Sequence, residues 1–303
     1  MRSDQKITSR SAAFAAAAVL AFTISGLASA PVARAASAAP AAAATQPAAT
    51  QPAAATAPAA GSPAVSATAA GPAFVCTAPA EFARFTYPLR HTARRLAAGE
   101  PLTIVAIGSS STSGAGASSR AASYPSRLAI ELKERFPAED ITVLNRGVNG
   151  EEAADMLARF EQSVAAAHPD VVLWQVGTNA VLRDNPLGPV DQLVHDGIAR
   201  IKAIGADVVL IDPQFAPKVI AKSDAEEMVD LVSAAARQAG VDLFPRFAVM
   251  RVWHDKEAMP FEAFLSPDLL HMNDWSYGCL AKLLSSTIVE AATRPFASAR
   301  ARP

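Results

Sequence analysis

The sequence predicts a three-layer α/β/α sandwich on a central, mostly five-stranded parallel sheet of the flavodoxin-like kind. Three observations predict it. From Leu102 onward, short strand-like runs alternate with stretches whose apolar residues recur at helical spacing. The runs, such as Leu102-Thr-Ile-Val-Ala-Ile107, are almost continuously apolar, as strands covered on both faces are. About 230 residues lie beyond Phe74, enough for one sizeable domain.

The first strand, 102–107, empties directly into Gly108-Ser-Ser-Ser-Thr112. A helix follows over 124–136 and is stopped by Pro137. Residues 141–144 read as the second strand, followed by Asn145-Arg-Gly-Val-Asn-Gly150 and a helix over about 151–167. The third strand, 170–176, ends in Gly177-Thr-Asn-Ala180. Then come a helix over 189–204, a strand over 206–211, a helix over 224–239, a short strand over 241–244 and a last helix over about 275–291. Strand–helix–strand units of this length connect parallel neighbours, whose carboxyl ends share one rim where ligands bind. Ser110, Gly150 and Asn179 follow the first, second and third strands, so they are expected on that rim.

The ends of the chain read differently. Arg2, Lys6 and Arg10 precede an Ala-rich, almost uncharged stretch over 11–30, the layout of a secretory signal peptide. Ala28-Ser-Ala30 fits a cleavage site but has Pro31 after it; Ala33-Arg-Ala35 fits with Ala36 after it, so residues 1–35 are expected to be removed. The alternative is an uncleaved membrane anchor, which the weakly apolar alanines disfavour. Cysteine is absent near the cleavage region, which argues against a lipoprotein. Residues 36–73 are nearly all Ala, Pro, Thr, Ser and Gln, with neither charge nor aromatic ring, and are expected to form a disordered linker. The folded domain is then 74–295, with a short tail over 296–303, in a periplasmic or secreted protein without stable membrane insertion. Lys and Arg number 27 against 28 Asp and Glu, and basic residues are not interleaved with aromatics, so nucleic acid is not an expected partner. The two cysteines, Cys76 and Cys279, either form a disulfide pinning the N-terminal segment to the last helix or remain two buried thiols.

Acyl transfer through serine needs an oxygen nucleophile, a base, a group that orients the base, and donors for the developing oxyanion. The cluster after the first strand supplies hydroxyls, but its own residues do not choose among Ser109, Ser110, Ser111 and Ser113. His271 lies three residues after Asp268, within reach of a carboxylate that would fix its tautomer. The other histidines are weaker candidates. His91 and His195 sit among charges as solvated residues, His168 precedes Pro169 in a turn, and His254 and Asp255 are adjacent and point apart. Gly150 precedes a helix expected to open on Glu151 and Glu152, which would put its N–H among unpaired helix-start donors. The Asn179 amide is a further donor. Asp268 and His271 have no companion His, Cys or Asp cluster, so neither a metal nor a cofactor is expected. Asn273 and Asp274 read as caps of the last helix. Trp174 reads as core, and Tyr124, Trp253, Phe261 and Phe264 as packing, with an acyl or sugar pocket as the alternative.

Taken in order, Gly108-Ser-Ser-Ser-Thr112, Gly150 after Asn145, Gly177-Thr-Asn179 and Asp268-x-x-His271 resemble the four signature blocks of the SGNH (GDSL-type) hydrolases, in particular bacterial exported members. The resemblance spans most of the domain, roughly 102–284. It implies the SGNH variant of the fold, with Ser110 as nucleophile, Asp268 and His271 completing the triad, and the oxyanion held by Ser110, Gly150 and Asn179. Two positions depart from the pattern: Ser109 and Ala180 stand where the family usually has Asp, and neither position supplies a triad member. The implied activity is that of an exported serine esterase acting on short acyl or O-acetyl esters, with acetylated glycans as a substrate class. A periplasmic polysaccharide O-acetyltransferase of the same fold is the enzymatic rival, and a glycan-binding module without catalysis is the rival from another class.

Overall fold

The computed structural model describes residues 74–295; the expected leader over 1–35, linker over 36–73 and tail over 296–303 lie outside the described residues. Five strands, β1 (Leu102–Gly108), β2 (Ile141–Gly147), β3 (Val171–Gln175), β4 (Asp207–Ile211) and β5 (Asp242–Phe244), form one sheet in the order β2-β1-β3-β4-β5. Every pairing is parallel. β3 is buried throughout and β1 and β4 nearly so, whereas β2, on one edge, is only partly covered. Continuous burial is what made the three inner strands read as unbroken apolar runs.

The helices are α1 (Arg90–Ala97), α2 (Ser110–Ser113), α3 (Tyr124–Arg135), α4 (Ala153–Ala158), α5 (Phe160–Ser163), α6 (Thr178–Leu182), α7 (Leu187–Ala203), α8 (Pro217–Ile220), α9 (Ala225–Ala239), α10 (Arg246–Asp255), α11 (Phe261–Phe264) and α12 (Asp274–Thr293). α12 packs on α3 and α1, while α7 packs on α9 and α4. Trp174, Tyr124, Trp253 and Phe264 are buried in the core, and Phe261 is half-buried beside it. Arg246 opens α10 beneath the end of β4, where its Nε and Nη2 donate to the Asp212 carbonyl at 3.0 and 2.6 Å.

Three expectations change. β2 runs three residues further than expected, because Asn145 to Gly147 stay in register with Ala106 to Gly108. The single helix expected over 151–167 is broken into α4, α5 and a 3-10 turn over Ala165–Ala167. The break falls at Arg159, which leaves helical dihedrals while its guanidinium binds Glu151 and the Arg146 carbonyl. Helices α1, α2, α6, α8, α10 and α11 were not singled out by periodicity at all. Cys76 and Cys279 form a disulfide, with Cα atoms 5.3 Å apart.

The strand order places the site. The chain passes from β1 to β2 on one side and then crosses to β3 on the other, so the crevice at the carboxyl ends of β1 and β3 is the topological switch point.

Candidate active site

Ser110 is the first residue of α2, which begins where β1 ends. A buried glutamine beneath it holds the turn. Gln175 Oε1, at the end of β3, accepts from the Ser109 N–H and Ser109 Oγ, each at 3.0 Å, and from Thr112 Oγ1 at 3.4 Å. Ser109 is thus buried and committed to the floor of the site, leaving Ser110 partly exposed above it. Beside β1, Asn145 Nδ2 donates to the Thr112 carbonyl at 2.8 Å.

His271 arrives from the far end of the chain. Its Nε2 lies 2.8 Å from Ser110 Oγ and its Nδ1 2.5 Å from Asp268 Oδ2. The loop that carries both residues is closed at its base by an antiparallel bridge between Leu265 and Met272. Inside it, Asp268 Oδ1 accepts from Ser266 Oγ at 2.7 Å, the His271 N–H at 2.9 Å and the Leu270 N–H at 3.0 Å. Partial burial pushes the Asp268 carboxyl up, but those donors together with the imidazole outweigh it and hold the group well below the usual carboxylate range. Leu269, between the two, takes a left-handed conformation with φ of 56° and is exposed at the rim.

Gly150 and Asn179 stand across from this row. Gly150 also lies in the left-handed region, with φ of 79°, after the end of β2. Its expected place within a helix start does not hold: Glu152 is the N-cap of α4, in a capping box with Asp155, so Gly150 sits in the preceding loop. Its N–H nevertheless has no acceptor among the described residues, and neither has that of Ser110. Arg183 Nη2 fixes the loop by donating to the Gly150 carbonyl at 2.8 Å, and its Nη1 pairs with Glu152. Asn179, in the first turn of α6, donates one amide hydrogen to the Glu151 carbonyl at 2.8 Å, and its second is left for another acceptor. Ala180, at the other departure from the resemblance, lies within α6 and is buried.

The structure therefore brings Ser110, Gly150, Asn179, Asp268 and His271 to one rim. The Ser110–His271 contact can pass a proton, and the Ser110 and Gly150 N–H groups and one Asn179 amide hydrogen are left without an acceptor among the described residues. The remaining histidines lie elsewhere. His91 is not a free surface group: its Nε2 is 2.7 Å from Asp170 Oδ1. His195 faces Asp191 one helical turn away at 3.6 Å, His168 sits in a left-handed turn, and His254 Nδ1 meets the Met259 carbonyl at 3.0 Å. Sequence reading missed Gln175, Gln214 and Ser266. The two glutamines did leave a signal: each is a polar residue at or just beyond the end of an apolar strand on the ligand rim. Among the described residues, no group of three or more His, Cys, Asp or Glu is arranged to hold a metal.

The sequence model of the non-GDSL lipase-like family matches residues 75–294. Over 125 residues the chain is 31% identical to an arylesterase of Vibrio mimicus, covering 41% of this chain and 61% of that protein. Among solved structures it is similar to a two-domain esterase active on acetylated mannans, with TM-score 0.59 and 20% identity over 73% of this chain and 57% of that one. It is also similar to a mutant of an acetylxylan esterase from Geobacillus stearothermophilus, with TM-score 0.53 and 19% identity over 62% of this chain and 94% of that one. At these identities the structural likeness speaks for the fold.

Proposed function

The chain belongs to the non-GDSL lipase-like family, and on that premise we propose that it is a serine esterase whose catalytic residues are Ser110, His271 and Asp268. One observation carries the reading: Ser110 Oγ, His271 and Asp268 are joined in a row by contacts of 2.8 and 2.5 Å, on opposite nitrogens of one imidazole. With Asp268 accepting from Nδ1, the Nε2 lone pair faces Ser110 and takes its proton as Oγ attacks the ester carbonyl. The carbonyl oxygen becomes an oxyanion held by the N–H groups of Ser110 and Gly150 and by the Asn179 amide. Collapse breaks the bond to the alcohol, which leaves with the proton from His271. A water then gives a proton to His271 and attacks the acyl carbon; the Ser110–acyl bond breaks as His271 returns that proton to Ser110 Oγ, releasing acid and free serine.

The substrate class we infer is esters of short acyl groups, O-acetyl groups on glycans among them. The names of the relatives support this: one is an arylesterase, others act on acetylated mannans or acetylated xylan. Export to the periplasm or beyond is supported by the leader-like residues 1–35 and by the Cys76–Cys279 disulfide, a bond that persists in oxidising compartments.

The test is hydrolysis of p-nitrophenyl acetate and of acetylated xylan or mannan by the purified protein. Native protein should release acetate from both, and Ser110→Ala should lose this while keeping the native circular dichroism. Full turnover by Ser110→Ala would refute the assignment.

A further inference from the structure

The two sides of the site come from distant parts of the chain, Asn179 from α6 after β3 and His271 from the loop before α12. One buried side chain spans them. Gln214, only 1% exposed and three residues beyond β4, accepts from Thr178 Oγ1 through Oε1 at 2.9 Å and donates from Nε2 to the Leu270 carbonyl at 3.3 Å. The orientation of its amide follows from chemistry. A carbonyl only accepts, so nitrogen faces Leu270 and oxygen is left for the Thr178 hydroxyl. Thr178 directly precedes Asn179, and Leu270 directly precedes His271. The Leu270 N–H in turn binds Asp268 Oδ1, so the same peptide segment touches both the strut and the acid.

We propose that Gln214 is a positioning residue, a strut that sets the distance between the Asn179 oxyanion donor and the His271 base. It touches neither substrate nor reacting atoms. Its effect reaches the chemistry through the peptide units on either side, where misplacement of a catalytic group by about 1 Å costs up to about 100-fold in rate. The Thr178 end is buried and the Leu270 end part-buried, so at the Thr178 end bulk water does not replace a lost partner.

The kinetic arm of the test rests on the esterase reading; the exchange arm does not. Gln214→Leu removes the strut at both ends, and Thr178→Val breaks it at the Thr178 end. In each, kcat for p-nitrophenyl acetate should fall about 10-fold or more with KM within about twofold of native. The double variant should be no slower than the slower single one, because the strut is broken only once. Hydrogen–deuterium exchange should rise in both 178–182 and 266–272 in either variant. If Gln214→Leu does not fold, Gln214→Met serves: it is closer to glutamine in length but has neither the amide oxygen for Thr178 nor the amide nitrogen for Leu270, and the same loss is expected. Full kcat in these variants, losses that multiply in the double variant, or unchanged exchange in both segments would overturn the proposal. A native protein inactive on esters would count against the esterase reading alone, and exchange would still decide the strut.

Discussion

His271 is held on three sides: Asp268 at Nδ1, Ser110 at Nε2, and the backbone of Gly116 behind it. Gly116 has φ of 85°, and a Cβ there would lie 2.5 Å from the Met272 carbonyl and 2.8 Å from His271 Cβ, so glycine is required by both angle and space. The same loop is tied down by Asp274, whose carboxylate accepts from the Ser118 N–H at 2.7 Å and from Ser118 Oγ at 2.5 Å. Because its donors hold Asp268 far below the usual carboxylate range, it stays ionised through the acid limb of the activity profile. Asp268 then adds no ionisation of its own to that limb. The logarithm of kcat/KM should fall with decreasing pH at a slope of about one, a single ionisation; a slope of two would mean that Asp268 titrates with it. At this scale the sequence was informative where partners are close in the chain. Asp268 and His271 are three residues apart, and their pairing could be read. Gln175 and Gln214 bind residues 66 and 56 positions away, and short-range spacing carries no trace of such contacts.

At the scale of elements, the start of α12 bears on the site, because its N-cap, Asn273, lies two residues beyond His271. Asn273 is the N-cap, accepting from the Ser276 N–H at 3.1 Å, and its Nδ2 donates to the Ala263 carbonyl at 3.0 Å. It therefore clamps α12 to the end of α11 as well as capping the helix. Asn273→Ala should cost about 1–2 kcal/mol of unfolding free energy, measurable by urea titration, and should lower kcat through the neighbouring loop. Unchanged stability would show that water replaces the cap. The expectation for Asn273 was right and that for Asp274 only partly so: Asp274 opens the helix but spends its carboxylate on Ser118. Inner strands were legible because burial on both faces leaves an apolar run. The helix expected over 151–167 differs because its apolar spacing continues through Arg159, where the backbone leaves helical dihedrals and the guanidinium pairs with Glu151.

Across the whole molecule, the disulfide links the first described segment to α12 over a sequence separation of 203 residues. Trp253 Nε1 and Trp275 Nε1 reinforce that strap by donating to the carbonyls of Thr77 and Phe74 at 2.9 and 3.2 Å. On a chain-entropy account, closing so long a loop stabilises the fold by about 5 kcal/mol. Replacing both cysteines by serine should then lower Tm by about 10 °C or more in a calorimetric scan; an unchanged Tm would place the strap's strength in its packing instead. The five-stranded parallel sheet and the shared rim were legible as a whole, since alternating strands and helices leave few topologies, whereas nothing local announced which side chains would bridge the rim. The central claim, that this rim is an acyl-transfer site with Ser110 as its nucleophile, is tested most directly by mass spectrometry after treatment with a fluorophosphonate. A single adduct on Ser110, formed as esterase activity disappears and absent from His271→Ala, is the predicted result. Inactivation with the adduct on any other residue, or retained activity in a protein fully labelled at Ser110, would contradict it.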